Sequence, residues 1–232
     1  MVVFDRFGRP VLSLRISITK RCNLSCIYCH SEGETETGDE MTPEEIARIV
    51  EAALSLDIRK VKLTGGEPLM RADLEEICSL ISKLDGVKDL SLTTNGTTLE
   101  NRAESLILSG LKRVNVNLCS LNPETYKAIT GVGEPERVVR GILAAVKAGL
   151  NPVKINMVLL KGLNEDHVWD MLEFSTSVGA ILQLIELEYV PGTVSPEFYR
   201  LYHTDFRDLE LSLIHISEPT RPRLISYAVF CL

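Results

Sequence analysis

Cys22, Cys26 and Cys29 stand within eight residues of one another and are the side chains best equipped for chemistry in this sequence. Three thiolates so close can ligate three irons of a cubane cluster and leave the fourth iron open to a ligand. The same spacing suits a Cys3His zinc site, with His30 or another histidine as the fourth ligand. A structural zinc site of that kind normally brings two ligand pairs, and the chain has no second CxxC and no HxxxH.

Two glycine-bearing strings join the cysteines. In Leu63-Thr64-Gly65-Gly66-Glu67-Pro68 the paired glycines permit positive φ and close backbone approach where a side chain would collide with a ligand. Thr93-Thr94-Asn95-Gly96 reads by itself as a turn. Arg15, Lys62 and Lys154 each interrupt an apolar run. A charge facing a protein interior is costly unless paired or bound to an anion, whereas one that points outward carries no message.

These residues must be positioned by elements that alternate regularly. Strand-length apolar runs at 11–18, 61–63, 89–93, 113–118, 153–159 and 181–187 are separated by helix-period segments, the pattern of repeated βα units. Thr42 with Glu45 three residues on, and Pro43 between them, predicts a capping box that opens a helix to Leu56. Further helices are expected over 72–84, over 99–109 closed by Gly110, over 136–148 closed by Gly149, and over 165–178. The expected fold class is α/β, a partial (βα)6 TIM-like barrel, because the candidate residues follow the first three strands, where βα loops gather at one face.

Composition narrows the function. Hydrophobic residues at 45% and charged residues at 25% are ordinary for a globular domain. A net charge of -7 disfavours broad nucleic-acid binding, so an anionic ligand needs a local basic pocket. No apolar run reaches the roughly 20 residues of a membrane span, and the N-terminus does not resemble a signal peptide, so a cytoplasmic protein is expected.

The string Cys22-Asn23-Leu24-Ser25-Cys26-Ile27-Tyr28-Cys29 resembles the cluster loop of the radical S-adenosylmethionine superfamily. Over roughly residues 10–190 the chain further resembles, in an archaeal style, the GTP 3',8-cyclase family of molybdenum-cofactor biosynthesis. The strings LRISITKRCNLSCIYCH, VKLTGGEPLMRADL, LTTNG, RVNVNLCSLNPETYKAITG and VKINMVLLKGLN carry that likeness. The resemblance implies a [4Fe-4S] cluster on Cys22, Cys26 and Cys29. It also implies S-adenosylmethionine on Tyr28, Gly66, Glu67, Asn117 and Glu188, and GTP on Arg15, Lys62, Thr93 and Lys154.

In that family a 5'-deoxyadenosyl radical starts the cyclisation of GTP to (8S)-3',8-cyclo-7,8-dihydroguanosine 5'-triphosphate, a lyase reaction. A reductant protein as electron donor and a homodimeric state are further expectations, with neither nucleic acid nor membrane as partner.

Three departures from the family pattern stand out. Asn117 replaces a serine and Glu188 a methionine beside S-adenosylmethionine, and Cys119 replaces an acidic residue and is expected to pack. The family's second [4Fe-4S] cluster, which binds guanine, needs three C-terminal cysteines that this sequence lacks. Residues 1–210 are therefore expected to form the core domain of a longer natural chain, and the cyclisation to be incomplete in this one. Residues 211–232 show no helical or strand phase and include SLIHISEPTRP, which resembles adapter read-through. A non-native or disordered tail is expected there.

Overall fold

A computed structural model of the chain describes residues 2–29, 40–191, 194–206 and 228–231. Among these residues, seven parallel strands lie in the order in which they occur along the chain: β1 (Ser13–Ser17), β2 (Lys60–Thr64), β3 (Asp89–Thr94), β4 (Arg113–Asn117), β5 (Val153–Val158), β6 (Ile181–Ile185) and β7 (Ala228–Cys231). A doubly wound sheet would reverse its order and carry helices on both faces. Here each new strand adds on the same side, which leaves the helices on one face and curls the sheet toward a barrel. Among the described residues the sheet is open, with β1 and β7 at its edges.

The helices are α1 (Pro43–Ser55), α2 (Leu74–Ser82), α3 (Ala103–Leu108), α4 (Pro123–Thr130), α5 (Pro135–Ala148), α6 (Val168–Ser177) and α7 (Pro196–Tyr202). The capping box of α1 forms: the Thr42 hydroxyl accepts from the Glu45 N–H at 3.2 Å, and the Glu45 carboxylate accepts from the Thr42 N–H at 2.8 Å. Ile46 and Val50 of α1, Ile77 and Ile81 of α2, and Val138, Ile142 and Ala145 of α5 recur at helical spacing and are buried. They join Ile16, Val61, Leu63, Leu92, Val114, Val116, Ile155 and Leu184 in one contiguous core. Each such buried aliphatic contributes about 1.5–3 kcal/mol relative to exposure.

The strands are therefore two-sided. Apolar residues meet the helices, and the intervening positions are mostly polar: Arg15, Ser17, Lys62, Ser91, Thr93, Arg113, Asn115, Asn117, Lys154, Asn156 and Gln183. Side chains alternate between faces along a strand, and parallel register partners share a face. The register pairs Arg15 with Lys62, Lys62 with Ser91, Thr93 with Asn115, Asn115 with Lys154, Asn117 with Asn156 and Asn156 with Gln183. One polar surface thus crosses the sheet from β1 to β6.

Several boundaries differ from the sequence expectation. β1 starts at Ser13 because the Val11 N–H already donates to the Val3 carbonyl at 2.8 Å in an N-terminal hairpin. α3 and α6 start later than expected, since Leu99–Asn101 and Glu165–His167 each form a tighter 3-10 turn. Two helices, α4 and α7, went unforeseen.

Within the tail, Ala228–Cys231 is extended and pairs in parallel with β6, Leu182 against Ala228 and Ile185 against Cys231. The backbone groups along the free side of β6 are the physical reason, because an extended chain rich in β-branched and aromatic residues can pair with any open edge. The rest of the tail, 211–227 and 232, lies outside the described residues. Among the described residues no helix is long and apolar enough to cross a membrane.

Candidate functional site

In a parallel sheet wound in one direction, the loops that leave the C-terminal strand ends collect at one end. The loop after β1 carries the three cysteines, the loop after β2 carries Gly65 to Pro68, and the end of β3 carries Thr94 to Thr97. Contacts between these loops are numerous.

The Gly66 N–H donates to the Thr19 carbonyl and the Glu67 N–H to the Arg21 carbonyl, both at 2.7 Å. A Cβ on Gly65 would stand 2.3 Å from the Thr19 carbonyl oxygen, and one on Gly66 would stand 2.3 Å from that of Arg21. Gly65 also has φ 145°, a conformation that side chains disfavour. The crowding that requires glycine here comes from the chain's own backbone just before Cys22, and a ligand need not be invoked for it.

Glu67 is 1% exposed, and its carboxylate is turned inward. It accepts from the Leu69 N–H at 2.9 Å, the Thr94 hydroxyl at 2.6 Å and the Asn95 N–H at 2.6 Å. Burial raises its pKa above the ordinary glutamate value, and those three donors oppose the rise. Its side chain therefore ties loops together, which leaves the Gly65–Glu67 backbone as the part able to meet a ligand.

The cysteine loop is gripped from the other side by α4. The Ser25 N–H donates to the Thr130 carbonyl and the Ile27 N–H to the Ile129 carbonyl, both at 2.9 Å. These carbonyls belong to the last turn of α4, where helical partners run out. α4 itself is begun by Asn122, whose side chain accepts from the Glu124 and Thr125 N–H groups, both at 3.0 Å. Asn122-Pro123-Glu124 is a legible N-cap signal that the strand-and-helix rhythm overshadowed.

Burial first, and then the charge of neighbouring groups, pushes the Cys22 thiol up and the Cys26 thiol up to about 12. Three mutually repelling thiolates are stable only against a compensating cation, which is the condition an iron–sulfur cluster meets. Among the described residues no three His, Cys, Asp or Glu side chains close around a single metal ion. A cubane asks for less, since each cysteine ligates a different iron. The donor set fits such a cluster. His30, considered as a zinc ligand, lies outside the described residues.

Tyr28 is half-buried and packs on the core. Arg15, Lys62, Thr93 and Lys154 share the polar face through the register given above, and the Lys154 ammonium donates to the Gln183 side chain at 3.4 Å. Asn117 ends β4 on that face, and its side-chain oxygen accepts from Asn156 at 3.1 Å. Glu188 lies exposed in the loop after β6, beyond the strand rows that hold the others. Cys119 is 3% exposed and its thiol is pushed up to about 12 by burial, a packed position.

Asn115 and Asn156, which the sequence reading did not single out, are buried on the same face, and their side-chain oxygens have no donor. A buried acceptor without a partner is costly, so these two suit a ligand that brings donors. Their sequence signal is the alternation in Val114-Asn115-Val116-Asn117 and Lys154-Ile155-Asn156, where every second residue is polar.

Residues 16–175 match the family described as the Radical SAM superfamily. A protein of Thermococcus kodakarensis named probable GTP 3',8-cyclase is 50% identical over 223 residues, which cover 96% of this chain and 72% of that protein. One of Methanothermobacter thermautotrophicus with the same name is 47% identical, with the same coverage of 96% and 72%. Among solved structures, Streptococcus suis SuiB bound to S-adenosylmethionine superposes with a TM-score of 0.72 at 19% identity, over 95% of this chain and 50% of that one. HydG, a maturase of the [FeFe]-hydrogenase, gives 0.69 at 15% identity, over 94% and 56%. At such identities these two likenesses speak for the fold alone.

Proposed function

The chain belongs to the radical SAM superfamily and to the family of the archaeal proteins named probable GTP 3',8-cyclase, and from that premise we propose how its residues divide the work. The activity is that of a GTP 3',8-cyclase, a lyase of molybdenum-cofactor biosynthesis that acts on GTP with S-adenosylmethionine. Cys22, Cys26 and Cys29 hold a [4Fe-4S] cluster. When bound, that cluster supplies the electron that breaks the sulfonium bond of S-adenosylmethionine.

The protein's own part is positioning. The Gly65–Glu67 backbone lies against the cysteine loop and faces the methionyl end of the cofactor. Tyr28 provides an aromatic flank for adenine and Asn117 a polar one for ribose. Arg15, Lys62 and Lys154 neutralise the triphosphate of GTP, with Thr93 beside them. Glu188, acidic and exposed, has the weakest physical case among the cofactor contacts. The electron comes from a separate reductant protein.

The observation that carries this reading is the strand register, which puts Arg15, Lys62, Thr93, Asn115 and Lys154 on one face beneath the loop of three cysteines. A polar face of that breadth suits a ligand with both anionic and hydrogen-bonding groups. The test is anaerobic reconstitution of the 232-residue chain with iron and sulfide, then EPR of the reduced protein with and without S-adenosylmethionine, then titration with GTP. A cubane signal that shifts with the cofactor is expected. GTP affinity should fall about tenfold in Lys154→Ala, the scale of one charge-assisted contact, with little change for guanosine. A colourless protein that retains zinc would overturn the reading.

A further inference from the structure

Asn23 stands inside the cysteine motif, between two candidate cluster ligands, and Asn95 stands 72 residues further on in the loop after β3. The Asn95 side-chain amide donates to the Asn23 side-chain oxygen at 2.7 Å. The Asn23 amide donates in turn to the Thr97 hydroxyl at 2.9 Å. Thr97 is fixed to Asn95 as well, its N–H at 3.1 Å and its hydroxyl at 2.8 Å from the Asn95 side-chain oxygen. Asn23 is a surface residue and water could satisfy its amide, yet both ends of that amide are spent on one loop.

Asn95 has a second attachment. Its backbone N–H donates to the Glu67 carboxylate at 2.6 Å, and Thr94 beside it donates to the other carboxylate oxygen at 2.6 Å. One residue therefore joins the loop of cysteines, through its side chain, to the Gly65–Glu67 loop, through its backbone.

We infer that Asn95 and Asn23 are positioning residues, which act as a clamp that sets the cluster loop at a fixed distance and tilt from the loop that receives the methionyl group of S-adenosylmethionine. The inference rests on the cofactor reading above. Its physical content is specific. A ligand that must reach an open iron and a backbone cradle at once binds well only if the two are already in register. Backbone bonds between Thr19–Arg21 and Gly66–Glu67 hold the start of the cysteine loop, and α4 holds Ser25 and Ile27. Asn23, immediately after Cys22, is the attachment between those two grips.

The test uses Asn23→Ala, Asn95→Ala and the double variant, each as the full chain. In the metal-free protein, alkylation rates of Cys22, Cys26 and Cys29 are followed by peptide mass spectrometry, with buried Cys78 as an internal reference for folding. Each single variant should label the loop cysteines roughly fivefold faster, the scale of one net hydrogen bond, while Cys78 is unchanged. The double variant should be slower than the product of the two single effects predicts, because the singles share the Asn23–Asn95 contact.

In the reconstituted protein, iron content should match the unmutated chain, the unfolding midpoint should fall by no more than one net hydrogen bond allows, and the concentration of S-adenosylmethionine that half-shifts the EPR signal should rise by a similar factor. Unchanged labelling and unchanged cofactor affinity overturn the clamp, and so does a parallel rise at Cys78 with a lowered unfolding midpoint, which would mark general destabilisation. If the unmutated chain shows no cofactor-dependent shift, the cofactor reading fails by itself, and the labelling rates still decide whether the clamp exists.

Discussion

Gly66 lies so close to Arg21 that a Cβ added to it would meet the Arg21 carbonyl oxygen at 2.3 Å. The opposing atom is backbone, so no rotamer change can relieve the contact. Two bonds hold this approach, from Gly66 to Thr19 and from Glu67 to Arg21. They make the Gly65–Glu67 segment a backstop for the cysteine loop.

Gly66→Ala should therefore cost about 1–3 kcal/mol, the usual range for overpacking, and should do its damage locally. The expected outcome is a folded protein with a markedly reduced load of iron and sulfide after anaerobic reconstitution. Circular dichroism beside iron analysis checks it, and a variant that loads iron as fully as the unmutated chain would show that the approach is not needed.

Asn122→Ala removes the cap of α4 at a cost of about 1 kcal/mol. Because the far end of that helix accepts from Ser25 and Ile27, the effect should reach the cysteine loop. Amide hydrogen exchange at Ser25 and Ile27 should quicken roughly fivefold, the scale of about 1 kcal/mol, with α5 unaffected. Equal rates at both amides would separate α4 from the loop.

Arg71, 4% exposed, donates to the Ile18 and Met41 carbonyls at 2.8 and 2.9 Å and pairs with Asp73 at 2.6 Å. The hydrogen bond from Arg71 holds the Asp73 carboxyl below its ordinary 3.8. A carboxylate depressed in the folded state adds stability that is present above the unfolded value and is lost as pH falls through the folded one. Acid should thus weaken the chain below about pH 3.8, in part through this pair. Asp73 is a third exposed, so solvent screening limits its worth, and Asp73→Asn should cost about 1 kcal/mol at pH 7. Urea midpoints at pH 7 and pH 3 should differ less in the variant, and an equal difference would remove Asp73 from the acid response.

Much of the molecule was legible in the sequence because its signals are local. The cysteine spacing, the capping box at Thr42 and the alternation in Val153-Lys154-Ile155-Asn156 each involve neighbours within about one turn of helix or strand. Six strands were readable on that ground. α4 was passed over although Asn122-Pro123 marks its start, because a helix of eight residues between strong strands and the long α5 adds little to a periodicity count. The tail strand β7 had no such signal, since it pairs with whatever edge is open.

What the amino-acid order determined alone was which residue types follow which strand, and hence that thiols, paired glycines and an Asn-Gly turn share one end of the sheet. Tertiary structure decided how they meet: that Glu67 turns inward to Thr94 and Asn95, that the glycines answer to Thr19 and Arg21, and that Asn23 closes on Asn95. The reason is separation along the chain. Contacts across 28 or 72 residues depend on parallel register, which is set by the whole sheet packing its apolar face against the helices, and no local pattern encodes it.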